Sequence, residues 1–151
     1  MKKTLLLLSV GILLCGAKGA KHPSKPSLFK RLGGINAIAT VVDDFVDRLY
    51  ADPVIKANPV VKADFDRSGK AGLKFHLTSM ICKAAGGPCK YVGRTMKDSH
   101  EGMGISEAEW DAAVKDLKAA LDGADVPEQE QSELLGVVAS TKPDIVAAKK
   151  D

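Results

Sequence analysis

Aromatic residues are scarce in this chain: four Phe, two Tyr and one Trp among 151 residues. With no sustained alternation of apolar and polar positions either, the composition argues against a β-rich fold, whose strands draw on aromatic and β-branched side chains. The three histidines lie far apart in sequence, which excludes the close ligand spacing of a zinc site. Gly33-Gly34 is not followed by the Lys-Ser or Lys-Thr of a phosphate loop, and no Gly-x-Ser-x-Gly nucleophile motif occurs. A dominant charge is missing too. Without residues 1–19 the chain loses Lys2, Lys3 and Lys18, leaving 19 basic against 19 acidic residues. No nucleic-acid footprint survives that balance, and the length allows one domain at most.

At the N-terminus, Lys2 and Lys3 precede an apolar run over 5–14 that is too short to span a membrane. This pattern predicts a signal peptide over 1–19, cleaved after Ala17 or Gly19, and hence an exported protein of the periplasm or cell envelope. A second reading is a lipid anchor at Cys15, although Leu14 stands where a lipobox prefers a small residue; only in that case is a membrane a partner. Residues 20–26 read as a polar tether and 27–148 as the domain. Cys82 and Cys89 then remain, flanking Gly86-Gly87-Pro88. In an exported protein such a pair suggests a disulfide, worth about 2–3 kcal/mol for so short a loop; two free thiols are the alternative.

Helical spacing recurs where strands do not. Over 34–50, Ile38, Val41, Val42, Phe45 and Leu49 share one stripe, and Asp52-Pro53 ends that helix and starts a short one. Residues 57–72 look irregular, broken by Asn58-Pro59 and Gly69, and read as a loop with one helical turn. A helix over 73–85 places Leu73, His76, Leu77, Met80, Ile81 and Ala84 on one face. Ser106-Glu107-Ala108-Glu109 is a capping box, with Ile105 and Trp110 placed as its hydrophobic staple. A last helix with Pro127 in its first turn is expected to bury Leu134, Leu135, Val137 and Val138 and to bend or end at Pro143, and the stretch from Ala147 onward reads as a frayed tail. The fold class is therefore all-α, with a core thin enough that a large flat cofactor would complete it.

The segment Met96-Lys97-Asp98-Ser99-His100-Glu101-Gly102-Met103-Gly104 is the most telling. It reads as a short helix broken by two glycines, presenting one imidazole, with Met96 a turn earlier on the same face. A neutral imidazole with a free nitrogen is a good axial ligand for haem iron, although a lone helix-end histidine is more often a solvated residue.

The order of motifs resembles a group I truncated haemoglobin. Ser27-Leu28-Phe29-Lys30-Arg31-Leu32-Gly33-Gly34 is similar to the family's opening, and Val41-Val42-Asp43-Asp44-Phe45 with Ala51-Asp52-Pro53 to the next helix. Gly86-Gly87-Pro88, Tyr91, Gly93-Arg94, Met96 and His100 resemble the proximal segment, and Val126-Pro127 with Leu134-Leu135 the last helix. The resemblance implies a two-over-two helical sandwich around a non-covalent haem b, with His100 as proximal ligand. Covalent attachment through cysteines is independently disfavoured, since no Cys-x-x-Cys-His occurs. Tyr91, Arg94 and Lys74 would address the propionates, and Leu73, Met96 and Trp110 would line the pocket.

On the distal side the chain departs from the family. Val46 stands where many members carry a hydrogen-bonding tyrosine, and Leu77 where a glutamine is common. Tyr50 is one substitute donor. Asn58-Pro59 replaces a phenylalanine pair, a gap for Phe65 or Phe75 to cover. His76 resembles a histidine that serves some cyanobacterial members as second iron ligand, and Met80 would pad the haem. The implied function is reversible binding of oxygen, nitric oxide or another diatomic gas. Bis-histidine electron transfer with a redox partner, and a haem enzyme removing nitric oxide or peroxide, are the alternatives. A haem-free helical binding module stands behind all three.

Overall fold

A computed structural model describes residues 25–147, and all its regular elements are helices. The expected signal peptide, most of the tether, Cys15 and the last four residues lie outside the described residues. In chain order the helices are α1 (Leu28–Arg31), α2 (Gly34–Ala51), α3 (Pro53–Lys56), α4 (Pro59–Ala84), α5 (Met96–His100), α6 (Glu107–Gly123), α7 (Glu128–Ala139) and α8 (Lys142–Ile145). Helix α2 packs on both α4 and α6, and α7 closes against α6. Two long pairs thus stack as a two-over-two sandwich.

Helical spacing in α2 accounts for its buried stripe, Ile38, Val41, Val42, Val46 and Leu49. These residues meet Ile81, Cys82 and Ala85 of the α4 end, Leu117, Ala120 and Leu121 of α6, and Leu134 of α7. Each valine, leucine or isoleucine among them, fully buried, contributes about 1.5–3 kcal/mol of transfer free energy. A second, smaller cluster joins Leu49, Ile55, Val61 and Ile105, with Phe65 and Met103 against it.

Start signals explain most boundaries. Asp52 accepts hydrogen bonds from the Val54 and Ile55 amides at 2.7 and 3.1 Å and caps α3. The capping box of α6 forms as expected, with Ser106 Oγ accepting from the Glu109 amide and the Ser106 amide donating to Glu109 Oε2 at 2.8 Å.

Several expectations are corrected. Residues 57–72 are not a loop: Asn58 caps a helix start, accepting from the Val60 and Val61 amides, and α4 runs on to Ala84. Gly69, at φ 69° and ψ 157°, kinks it into 59–68 and 70–84. Asn-Pro therefore starts a helix here, as Asp52-Pro53 does six positions earlier. Val137 is not buried but 36% exposed, and Pro143 lies in the first turn of α8 after α7 has already ended at Ala139. Ala147 is not frayed, since its amide donates to Ile105 O at 2.8 Å.

The turn after α4 prepares the site. The Gly86 amide bonds to Lys83 O and the Gly87 amide to Cys82 O, a Schellman closure with Gly86 at φ 80°. A Cβ on Gly87 would come within 2.5 Å of the Phe29 ring and 2.7 Å of Cys82 Sγ, so only glycine fits. Cys82 and Cys89 are joined as a disulfide, their Cα atoms 5.8 Å apart, tying the end of α4 to the loop that leads to α5.

Candidate haem site

Helix α5 carries the central group. Thr95 caps it, accepting from the Asp98 amide at 3.1 Å, and it ends at His100, after which Gly102 and Gly104 take positive φ. His100 Nδ1 lies 2.8 Å from Met96 O. A carbonyl only accepts, so Nδ1 carries the proton and donates it. In the neutral imidazole this tautomer leaves the lone pair on Nε2, the nitrogen that can ligate. The spacing of four residues at a helix end produces this tautomer, and the ring is half-buried and oriented.

Helix α5 buries none of its residues. It packs on α8, where Lys142 Nζ sits 5.8 Å from the centre of the buried Trp110 ring. Trp110 thus supports this shelf from the start of α6. On its other side α5 stands off from the first half of α4 across a cavity of about 180 Å³. Val60, Met103, Arg67, Arg94, Asp98 and Ser99 are among its lining. Met96 is half-buried at the start of α5.

On the second half of α4, Leu73 and Leu77 are partly buried and pack against the main core, and Met80 is partly buried as well. His76 does not share their burial: it is exposed, its ring edge-on to Tyr91 at 6.2 Å and to Phe75 at 5.4 Å. No hydrogen bond among the described residues uses it. Phe75 is 60% and Val92 76% exposed, an unusual display for large apolar side chains.

The polar residues expected at the propionates divide. Lys74 is committed to α2, paired with Asp43 and, at 3.3 Å, with Asp47. Hydrogen bonding to Asp43 and then Asp47 raises its ammonium above the usual lysine value. The Tyr91 hydroxyl donates to Arg94 O at 2.7 Å and folds its own loop. Arg94 is exposed at the cavity rim. Tyr50 is not a distal donor: its hydroxyl donates to Phe65 O at 3.2 Å, and the two rings stack 4.1 Å apart. Burial first, then the charges of Asp64 and Asp66, push its pKa up. That stack also commits Phe65, while Val46 is fully buried in the core. Sequence reasoning missed Asn58, whose amide donates to Met103 O at 2.9 Å; the signal was an Asn-Pro pair read as a breaker.

The residues fit a haem on the structure's own terms. One oriented imidazole offers a nitrogen, and Leu73, Leu77 and Met80 stand partly buried on the second half of α4; the cavity beside α5 faces the first half of that helix and is lined by other residues. Among the described residues no group of three His, Cys, Asp or Glu side chains forms an ordinary metal cluster.

Comparison with known proteins gives a consistent family. The family model of bacterial-like globins matches residues 27–147. Group 1 truncated haemoglobin GlbN of Mycolicibacterium paratuberculosis is 32% identical over 123 residues, covering 82% of this chain and 86% of that one. GlbN of Synechocystis is 33% identical over 115 residues, covering 74% and 88%. Among solved structures, the Fe(III) form of truncated haemoglobin from Tetrahymena pyriformis superimposes with a TM-score of 0.72 at 25% identity, covering 82% of this chain and all of that one. With helices in this order and an imidazole so presented, the chain belongs to the bacterial-like globins and, within them, to the haem-binding group 1 truncated haemoglobins.

Proposed function

We propose that this protein reversibly binds a diatomic gas, oxygen or nitric oxide, at a haem b held non-covalently through Nε2 of His100. The Nδ1–H to Met96 carbonyl bond carries this reading, because it fixes both the tautomer and the direction of the ring. Haem, when bound, supplies an iron with a coordination position for the gas. The chain's own residues then set how that position is guarded. Val46 donates nothing and Tyr50 is occupied by Phe65, so the distal side offers the gas no tyrosine hydrogen bond.

His76 is the second ligand in this reading. It is free of other hydrogen-bonding duties and sits on the distal helix. Were it to ligate a bound haem it would compete with the gas, and apparent affinity would fall by the fraction of open sites. Its exposure also favours a second function, bis-histidine electron transfer with a soluble redox partner. Export through a signal peptide over 1–19 is part of the proposal, supported by the joined cysteines, which suit an oxidising compartment. A lipid anchor at Cys15 is the version with a membrane.

The experiment is the ultraviolet–visible spectrum of the purified protein, oxidised and reduced. A low-spin ferrous spectrum that turns high-spin in His76→Ala is expected. Colourless protein that takes up no added haem refutes the gas-binding function, and a spectrum unchanged in His76→Ala refutes the second ligand.

A further inference from the structure

Asn58 stands where three segments meet. Its Oδ1 caps α4 by accepting from the Val60 and Val61 amides at 3.0 and 3.3 Å. Its Nδ2 reaches across to Met103 O, 45 residues downstream, at 2.9 Å. The Met103 amide in turn donates to His100 O at 3.1 Å. Two hydrogen bonds therefore lead from the start of α4 to the residue that presents the free nitrogen. A third segment closes the junction at the start of α6. Burial works to raise the Glu109 carboxyl there, but hydrogen bonds from the Ser106 hydroxyl and amide hold it below the usual value, and its Oε1 stays buried without a hydrogen-bond partner among the described residues.

Such a strut matters because α5, which packs on α8 on one side, has no such packing against the first half of α4 on the other. None of its residues is buried, two glycines follow it, and the cavity separates it from the first half of α4. Contact with α8 on one side leaves the distance of α5 from α4 open, and a directed polar tie can set it. A bond of this kind in a half-buried place is small for the fold but enough to choose one loop conformation.

We propose that Asn58 is the positioning residue for His100, holding the end of α5 at a set distance from α4 and so fixing where the imidazole stands. The inference rests on the haem function above, but its first test does not need haem. Asn58→Ser keeps a good cap in a shorter side chain that cannot both cap α4 and reach Met103. In the haem-free full chain, hydrogen exchange at the Met103 amide is expected to quicken about tenfold, while Val60 and Val61 stay within about twofold of wild type. The His100 ring resonances should move in NMR spectra of the same sample. Asn58→Asp, an equally good cap without the amide donor, should move them in the same sense. In the loaded protein on a His76→Ala background, either variant should shift the iron–histidine stretching band. His100 resonances that stay put in both variants, or an unmoved band, overturn the proposal and leave Asn58 a helix cap. Wild-type protein that takes up no haem overturns the gas-binding function instead, and the haem-free arm still decides the strut.

Discussion

Val42, Val46, Cys82 and Leu121 are wholly shut off from solvent in the main core, whereas α5, which carries His100, has no fully buried residue. The core is held by shape: apolar stripes of α2, α4, α6 and α7 interlock, and many atoms share the load. The shelf is held by direction: Thr95 at one end, Met96 O on the ring, and Asn58 through Met103 at the other. Stability and ligand geometry are thus assigned to different parts of the molecule. A change in one should leave the other nearly untouched.

His100→Ala is the sharpest break of this comparison. Haem uptake should be lost outright, while urea unfolding of the haem-free chain changes by no more than about 0.5 kcal/mol, as for a substitution outside any core. Leu121→Ala should do the reverse, costing about 2–5 kcal/mol in urea unfolding of the haem-free chain and leaving the iron–histidine band of loaded protein where it was. If haem uptake survives the first or the band shifts in the second, the two regions are not separate. Replacing Cys82 and Cys89 together should cost about 2–3 kcal/mol and loosen the loop between them, read by amide exchange at Lys90 and Tyr91. The smallest effect is expected at the α1–α7 seam. There the Arg31 guanidinium, then Lys25, hold the Glu133 carboxyl down to about 2. A carboxyl depressed in the folded state stabilises above its ordinary value of 4.5 and loses that contribution as pH falls toward 2. Glu133→Gln should flatten the decline of Tm between those limits and nowhere else.

Much of the framework is legible in the sequence because its causes are local. The stripe of α2, the Asp52 cap and the Ser106 capping box each follow from residues within a turn or two. The ring orientation of His100 has an equally local cause, the Met96 carbonyl in the same helix, but in the sequence Met96 reads only as haem padding. Helix α4 hides because Gly69 resets its phase: Val61 and Phe65 before the kink serve the smaller cluster, Leu73, Leu77 and Ile81 after it the larger. No one stripe runs through both halves. Lys74 and Asn58 escape for another reason, as their partners lie 31 and 45 residues away and meet them only in the folded chain. Tyr50 misleads because its spacing in α2 says nothing of Phe65, which stacks on it from another helix.

The disulfide closes a small covalent ring whose outermost residues, Gly86 and Pro88, are exposed. A protease that nicked the backbone within that ring would separate nothing. The fragment bearing His76 and the fragment bearing His100 would travel on as one molecule, parted only by a reductant.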